Sequence, residues 1–571
     1  MLTRMSWRDL LVLPALLGAA ALLWLLHARA WDLGGRSPVL GYDTAQYALA
    51  ARELSFHGQF ATPFALPIEL VHQADPPWPL AVVQPGLVVF EAFVFKLVPP
   101  RGVMATSDAR AWLTLVLPFM AFLLVAGSLG IAVRHLFRGH HPTATAFERN
   151  GAALALGLMF VLDPEAQHFA IGGFTEIPFT AGLLFATLGL ALGRAAAAPL
   201  AFGLVLGLCG LFRANMLWLG PLFILGAALL AAPGRRLRAL VQVVIGFVLP
   251  LAPWWLYKWR EFGDPGWDLS RYAVWDRVGG RDWFSLYHLP EIPTVPQGAE
   301  AARLLAAKVA HNLPGLVLDM SRGLRALWAG AIVLWLLVVR PPRALAIAAL
   351  VMLGAAVFTL FTTALSIPWL RYLFPVRVLL ECTGMLALWA LIAGLPGLTA
   401  GQRRGLQVAV AALALVWGVW QTMGGLAEAR ATSAERGVPA SGTFTELSIL
   451  INRELKPGEV VMSNLGPALA WQTLHPVIHL ALSPADVESC RRRRDFRVVL
   501  LAFREPDRAW PGWVEIMSRY GAAATEPGLG VLSERRYRSS DGFTIVWLTL
   551  GPLAPGVADA PPGGGIELAA R

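Results

Sequence analysis

Two stretches near the start of the chain, residues 11–30 (LVLPALLGAAALLWLLHARA) and residues 41–58 (GYDTAQYALAARELSFHG), decide what kind of fold this sequence can form. The first is apolar and matches the length of roughly 20 residues that crosses a bilayer. The second repeats alanine with helical spacing, has an acid, Asp43, near its start and stops at Gly58, a residue type common at helix C-termini. The pair predicts a membrane-spanning helix followed by a helix at the membrane surface.

The rest of the chain continues the membrane pattern. Of 571 residues, 56% are hydrophobic and 15% charged, and the mean hydropathy is +0.57, more apolar side chain than a soluble globular protein can bury. The apolar runs lie near residues 10–28, 111–133, 151–163, 177–193, 198–212, 214–232, 239–257, 323–339, 344–365, 373–394 and 405–424. We therefore predict an all-α polytopic membrane domain over residues 1–425, with about eleven transmembrane helices.

The arginines of the short connections predict the orientation, because basic residues mark the cytoplasmic side. The connections assigned to the cytoplasm contain Arg134, Arg138, Arg149, Arg194, Arg235, Arg236, Arg238, Arg340, Arg343, Arg403 and Arg404. This places the N-terminus inside and residues 29–110, residues 258–320 and everything after about residue 425 outside. A basic start, a long apolar stretch and no clear cleavage site predict a retained signal anchor. The Arg/Ala/Gly-rich composition indicates a multi-pass protein of a bacterial inner membrane.

The C-terminal part has a different pattern. Strand-like runs at residues 460–463, 477–482 and 497–502 alternate with short helical ones, which predicts a soluble extracytoplasmic α/β domain over residues 430–551. Residues 552–571 are rich in Pro, Gly and Ala and are predicted to be disordered. Cys209 and Cys382 fall in apparent spans and Cys490 in this domain, so no pair is available for an external disulfide.

Several site classes are missing from the sequence. It contains neither GxxxxGK[ST] nor a strand-associated GxGxxG, and no cytoplasmic loop is long enough to form a domain. The substrates of an enzyme would therefore come from the membrane and the outer compartment. The histidines of RHLFRGHHP (residues 134–142) lack metal-site spacing. We predict that no cofactor is required, that a divalent metal is not indicated, and that no nucleic acid is bound.

Asp43 has two interpretations. Asp43 and Gln46 stand three residues apart, as in a capping arrangement in which the acid accepts a backbone N–H and the glutamine reaches back. Asp43 also lies just beyond the first span, where a headgroup carried by a lipid and a hydroxyl from outside would meet. Its carboxylate is therefore either a helix cap or the group that does the chemistry.

The layout resembles the GT-C superfamily of polyprenyl-phosphate-sugar glycosyltransferases, in the branch of protein O-mannosyltransferases and the lipid A aminoarabinose transferase. The resemblance lies in the first span, the acid in a helix that ends at Gly58, and the Pro-rich stretch HQADPPWPLAVVQPGLVVFEAFVFKL (residues 72–97). It implies that Asp43 is the catalytic base. Relatives commonly have a tight His-Pro-Pro-Leu-like sequence, loosened here to HQADPPWPL. This departure leaves the acceptor open, with Asp75 a candidate for acceptor or loop contacts and His72 interpreted as part of a Pro-rich turn.

A second external motif is DPEAQHFAIGGFTEIPF, residues 163–179. Glu176 either favours the start of a helix electrostatically or marks a site at the membrane boundary. The resemblance implies a second acid in this loop that assists Asp43. Asp163 and Glu165 are weaker candidates, as is His168, which is assigned to acceptor or loop contacts.

Five outer residues are candidates for binding the donor phosphate: Arg371, Arg213, Tyr372, Lys258 and Arg260. A guanidinium donates two parallel charge-assisted hydrogen bonds and therefore suits a phosphate. Snorkelling to the interface is the alternative, and it explains Lys258 and Arg260 more easily than Arg213.

Together these features predict an inverting hexosyl- or pentosyltransferase. It would move a sugar from a polyprenyl phosphate in the membrane to a hydroxyl of an extracytoplasmic glycan, glycolipid or protein. Two other functions stay open on the sequence alone. One is a transporter or flippase of lipid-linked saccharides, which would show inverted repeats and broken helices. The other is a non-catalytic assembly protein that binds a partner through its C-terminal domain.

Overall fold

A computed structural model describes residues 11–32, 41–81, 83–98, 109–140, 145–275, 278, 287–435, 441–506, 510–526 and 528–553. Residues 554–571, most of the tail predicted to be disordered, lie outside the described residues. Helices of eight residues or more are numbered. Those of the first 435 residues are α1 (Val12–Ala30), α2 (Tyr42–His57), α3 (Pro85–Lys96), α4 (Val116–His140), α5 (Ala146–Val161), α6 (Pro164–Ile171), α7 (Glu176–Ala191), α8 (Pro199–Phe212), α9 (Asn215–Leu230), α10 (Arg236–Phe262), α11 (Gly298–Ser321), α12 (Arg325–Val338), α13 (Arg343–Leu365), α14 (Phe374–Gly394) and α15 (Ala400–Glu435).

The predicted apolar runs all fall on helices, but the number of spans is not confirmed. Within the described residues, six helices are long and apolar enough to cross a bilayer, and up to eight if each of two bent helix pairs is one span. The helices α8 and α9 have only 14 and 16 residues. At 1.5 Å per residue, a helix of this length covers about 21 to 24 Å, short of the roughly 30 Å hydrocarbon core. The prediction of about eleven spans therefore stands unconfirmed.

The segment predicted to be external after the first span, called the first external segment below, carries its own small structure in residues 41–98. The helices α2 and α3 pack together through a shared hydrophobic cluster that includes Ala48, Leu49, Leu87 and Phe95. Between them lie three short strands, β1 (Ala61–Thr62), β2 (Phe64–Ala65) and β3 (Trp78–Pro79), of which β1 and β3 pair antiparallel.

The C-terminal region is an α/β domain, as predicted. Its elements are α16 (Ser441–Glu454), β4 (Val461–Ser463), α17 (Gly466–Thr473), β5 (Val477–His479), α18 (Pro484–Arg493), β6 (Val498–Phe503), β7 (Val531–Arg538) and β8 (Thr544–Leu550). The three predicted strands are present as β4, β5 and β6. They join a six-stranded sheet in the order β2-β5-β4-β6-β8-β7, in which β7 and β8 are antiparallel.

One strand of this sheet comes from outside the predicted domain. The edge strand β2 belongs to the first external segment and pairs parallel with β5. The sheet is therefore built from residues 64–65 together with the C-terminal region, and the first external segment and the C-terminal region are joined by backbone hydrogen bonds. The three cysteines are buried and free.

Candidate active site

Four charged side chains from distant parts of the chain meet in one cluster. Nη2 of Arg371 lies 2.8 Å from Oδ2 of Asp43, and its Nε donates to Oε1 of Glu176 at 2.9 Å. Nη1 of Arg213 lies 2.6 Å from the same Oε1 of Glu176. We refer to Asp43, Glu176, Arg213 and Arg371 as the charged cluster. Two residues predicted to be catalytic and two predicted to bind phosphate are thus in direct contact.

Each member stands at the end or at a break of a helix. Asp43 lies in the first turn of α2, and Glu176 begins α7 after a bend of 120° from α6. Arg213 has an extended backbone between α8 and α9, and Arg371 lies in a 3-10 turn just before α14. Backbone breaks at membrane depth direct polar side chains inward only where protein or a water-filled cleft receives them. The helix breaks therefore create the cluster.

Asp43 is not a helix cap. The N-cap of α2 is Gly41, with extended backbone and no side-chain cap hydrogen bond, and Asp43 is the second helical residue. The capping interpretation is therefore wrong, since the carboxylate is directed to Arg371. Its charge is still favourable beside the positive end of the helix dipole.

The start of α2 is pressed against the turn between α6 and α7. The Thr44 hydroxyl donates a hydrogen bond to the Gly172 carbonyl. Gly173 has a φ of +69°, and a Cβ there would lie 2.7 Å from the Thr44 methyl group. A side chain at Gly173 would be both strained and in collision, so glycine is what lets the two segments come this close.

Accessibility differs across the charged cluster. The side chains of Asp43 and Arg371 are 32% and 28% exposed, whereas those of Glu176 and Arg213 are 0% and 10% exposed. Nη1 of Arg371 makes no hydrogen bond to the described residues, and Oε2 of Glu176 is buried without a partner among them. A ligand can therefore reach the Asp43–Arg371 face, while the Glu176–Arg213 pair forms its buried floor.

The field around Arg371 keeps it charged. Burial alone lowers the pKa of a guanidinium, but the carboxylates of Glu176 and Asp43 outweigh it and raise the pKa of Arg371 above its ordinary value. The two positive and two negative side chains balance. Arg371 is therefore a charged guanidinium that two carboxylates hold in place.

Aromatic side chains line the cluster, among them Tyr372, which sequence analysis singled out, and Phe174 and Tyr47, which it did not. The Arg371 guanidinium lies 5.1 Å from the Phe174 ring and that of Arg213 lies 5.5 Å from the Tyr372 ring. Tyr47 follows Asp43 by four residues in α2. Burial, followed by the charge of Asp43, raises the pKa of Tyr47. The i, i+4 spacing to Asp43 was the signal that would have identified Tyr47.

Lys258 and Arg260, also predicted to bind phosphate, have other partners. Nζ of Lys258 lies 3.4 Å from Oδ2 of Asp268 and 5.2 Å from the centre of the Trp254 ring. The Arg260 side chain is 86% exposed, and its nearest acid is Glu261 at 3.8 Å. Neither residue belongs to the charged cluster: Lys258 is buried in an ion pair and Arg260 is exposed.

The two candidates of the Pro-rich stretch lie against other external elements. Asp75 is exposed and forms an ion pair with Arg494 of the C-terminal domain. His72 packs edge-on against Trp267 and Phe262. Both are loop contacts rather than members of the charged cluster.

A second ionic group stabilises the α5–α6 turn. Asp163 accepts the Ala166 N–H at 2.9 Å as the N-cap of α6 and lies 2.6 Å from Nη2 of Arg377. Glu165 lies 3.2 Å from Nη1 of Arg377, which is also near Glu381. Asp163 therefore has a capping and pairing role.

His168 lies beside a cavity. Its ring is 5.1 Å from Trp31 and 5.7 Å from Phe174, which contacts Arg371. Together with Glu165 and residues of α15, His168 and Trp31 line a cavity of about 620 Å³. No group of three or more metal-binding side chains occurs in the part of the chain that the structure describes.

Comparison with solved structures shows the fold. The chain is similar to the crystal structure of ArnT from Cupriavidus metallidurans bound to undecaprenyl phosphate, with a TM-score of 0.54 and 14% identity over 94% of this chain and 98% of that chain. The apo form of the same ArnT gives a TM-score of 0.53 at 14% identity over 94% and 99%. No family model and no curated protein sequence matches the chain. The chain therefore has the fold of ArnT, a helical membrane architecture with a small C-terminal sheet, as predicted from the sequence.

Proposed function

We propose that this protein is a membrane glycosyltransferase that moves a sugar from a polyprenyl phosphate to an extracytoplasmic hydroxyl. The observation that carries the proposal is the contact of 2.8 Å between Asp43 and Arg371 in a chain with the ArnT fold. An accessible carboxylate beside a fixed guanidinium provides a base and an anion site side by side. The charge balance and the backbone breaks that create the cluster support the same activity.

In the proposed complex, the donor phosphate binds to Arg371. Nη1 of that side chain is the donor that the carboxylates leave available, and a guanidinium suits a phosphate oxygen. Arg213 and Tyr372 lie behind it and add positive charge and packing. The ArnT bound to undecaprenyl phosphate supports a donor lipid of this class.

The proposed reaction is a single displacement. Asp43 removes the proton from the acceptor hydroxyl, whose oxygen attacks the anomeric carbon. The bond from that carbon to the phosphate oxygen breaks, and the lipid phosphate leaves with the electron pair. Arg371 and Arg213 stabilise the charge that develops there, and the configuration is inverted. General base catalysis of this kind contributes about 10² to 10⁴-fold to the rate.

Glu176 has a different role in this proposal. Its Oε1 receives both arginines, and the side chain is fully buried. A carboxylate between two guanidinium groups is a poor base, so Glu176 acts by holding Arg213 and Arg371 in position. Removal of one partner from a buried pair of this kind strongly destabilises the folded protein.

The orientation and the compartment are part of the same proposal. The N-terminus lies inside, the charged cluster and the C-terminal domain face the outside, and the protein resides in the bacterial inner membrane. The apolar helices supply the membrane attachment that this location requires.

The test compares Asp43→Asn with Asp43→Ala in nanodiscs. Transfer of radiolabelled sugar from a polyprenyl-phosphate donor fraction to cell-envelope acceptors is measured, with thermal stability and undecaprenyl phosphate binding as controls. We expect both variants to fold, to bind the lipid and to lose transfer by at least about 10²-fold. Full transfer by Asp43→Asn, or retention of the anomeric configuration in the product, would contradict the mechanism.

A flippase is the second candidate, and one observation favours it. Two helix pairs are bent, by 120° and 85°, and broken helices with polar residues are typical of transporters. A flippase would translocate a fluorescent lipid-linked saccharide in proteoliposomes. It would also do so without any covalent change to the sugar, which product analysis detects.

A further inference from the structure

The C-terminal domain is bound to the first external segment through backbone. Strand β2 forms the edge of the C-terminal sheet, with Phe64 opposite Val477 and Ala65 opposite Ile478. The Val477 N–H also donates to the Pro63 carbonyl at 2.9 Å. The unpaired N–H and C=O groups at the edge of a sheet bind another extended backbone in a fixed register. The pairing therefore sets the position of residues 63–65 relative to the domain.

His479, the last residue of β5, is surrounded by rings from three segments. The ring of Trp510 stacks on it at 5.3 Å and 23°, and those of Tyr42 and Phe64 meet it edge-on at 5.4 and 5.8 Å. Nδ1 of His479 lies 3.1 Å from Nε2 of His288, which belongs to the second external segment. We call these five residues the His479 cage.

A glycine makes the cage possible. Gly466 has a φ of +52°, and a Cβ there would lie 2.7 Å from Cδ2 of His479 and 3.3 Å from Cε2 of Tyr42. The start of α17 therefore passes directly over both rings. Any side chain at this position would separate Tyr42 from His479.

A second contact attaches the same helix that carries Asp43. Arg52 of α2 donates to the carbonyls of Trp471 and Ala470 at 3.2 and 3.3 Å, in the last turn of α17. Its guanidinium also lies 5.2 Å from the Trp471 ring. A cation is favourable at the C-terminus of a helix, where carbonyls lack partners. The C-terminal domain thus contacts α2 both at its first residue and near its end.

We propose that the C-terminal domain positions Asp43, with His479 as the positioning residue that acts through Tyr42. The inference rests on the proposed function, because it concerns the same carboxylate. Tyr42 precedes Asp43 directly, and the start of α2 has no side-chain cap of its own to hold it. The His479 cage holds the Tyr42 side chain on one side of this helix start, while Arg371 holds the Asp43 carboxylate on the other.

The experiment measures His479→Ala and His479→Phe, each in the wild-type and Asp43→Asn backgrounds. Arg535→Gln is the matched control, because Arg535 lies in β7 at the opposite edge of the same sheet. Transfer kinetics, undecaprenyl phosphate binding and hydrogen exchange of the amides of residues 41–47 are measured for every variant in nanodiscs.

We expect His479→Ala to lower kcat by about 10²-fold, as a misplaced catalytic group does, while lipid binding stays within about twofold of wild type. Exchange of residues 41–47 accelerates at least about tenfold, since the start of α2 opens locally. His479→Phe keeps the ring packing, so most of the wild-type kcat and most of the protection of residues 41–47 from exchange are retained. In the Asp43→Asn background, His479→Ala changes the residual transfer by less than about twofold, because the group it positions is gone.

The failure of this inference differs from the failure of the proposed function. If Asp43→Asn transfers sugar normally, the proposed function is wrong, whatever His479 does. If Asp43→Asn is inactive but His479→Ala has wild-type kcat and unchanged exchange of residues 41–47, the positioning role is overturned. An equal loss in both Asp43 backgrounds, or in Arg535→Gln, would also overturn it, since the domain would then act on stability alone.

Discussion

Two groups of side chains flank the start of α2. The charged cluster consists of ionised residues, whereas the His479 cage consists of packed aromatic rings. In the charged cluster, Asp43 contacts Arg371, which also contacts the buried Glu176–Arg213 pair. In the His479 cage, the preceding residue, Tyr42, meets the ring of His479, for which burial lowers the pKa to about 3. Ion pairs therefore hold one side of this helix start, and aromatic packing against the C-terminal domain holds the other. The comparison indicates that contacts on both sides of the start of α2 fix the position of the Asp43 side chain.

Removal of the central guanidinium gives the largest expected effect, because it separates the two acids. Arg371→Gln should lower transfer by about 10² to 10³-fold, since one preorganised donor to developing charge is lost. Arg371→Lys keeps the charge but lacks the planar fork of the guanidinium. Its rate of transfer should therefore lie between those of Arg371→Gln and wild type. Transfer kinetics in nanodiscs provide the measurement, and equal activity of Arg371→Gln and wild type would remove Arg371 from the site.

Glu176→Gln should mainly affect stability. It leaves Arg213, whose side chain is only 10% exposed, without its carboxylate, and breaking a buried pair in this way costs about 3 kcal/mol. Thermal unfolding in detergent measures the effect, with Glu261→Gln on the exposed interface as control. If the two variants unfold at the same temperature, the buried floor of the cluster carries none of the stability assigned to it.

Acid should destabilise the His479 cage. The pKa of His479 is lowered from 6.5 to about 3 by burial, so below pH 6.5 the unfolded chain binds a proton that the folded chain does not. Stability therefore falls as the pH drops from 6.5 towards 3, by about 2 kcal/mol between pH 7.5 and pH 5. The free energy of unfolding, followed against pH, should lose this part of its slope in His479→Gln. An unchanged slope in that variant would mean that His479 is protonated in the folded chain.

The smallest effect is expected at Arg260, an exposed arginine that belongs neither to the charged cluster nor to the His479 cage. Its side chain is 86% exposed, and surface pairs of this kind contribute about 0 to 1 kcal/mol. Arg260→Gln should leave transfer and stability within about twofold and about 1 kcal/mol of wild type. A drop in transfer similar to that of Arg371→Gln would restore Arg260 to the donor site.

Much of the site was predictable because helix breaks and charge at a membrane boundary are local signals. The acid after the first span pointed to Asp43, and a guanidinium in an apolar region pointed to Arg213 and Arg371. The direct contact of Asp43 with Arg371 spans 328 residues, and no periodicity encodes it. Tyr47 was missed although its i, i+4 spacing to Asp43 is a local signal, and Phe174 was missed because its partner, Arg371, is distant in sequence.

The sequence by itself determined where the chain is apolar enough for membrane helices, that the C-terminal region alternates strands with short helices, and which polar residues stand at helix ends. These properties depend on residues that are near one another along the chain. The length of an apolar run predicts a membrane helix, and residues such as glycine mark where a helix ends. Only the tertiary structure decided that Asp43 is not a cap, that β2 completes the C-terminal sheet, and that Tyr42, His288 and His479 share one cage. Those contacts join residues hundreds of positions apart, and packing in three dimensions selects them.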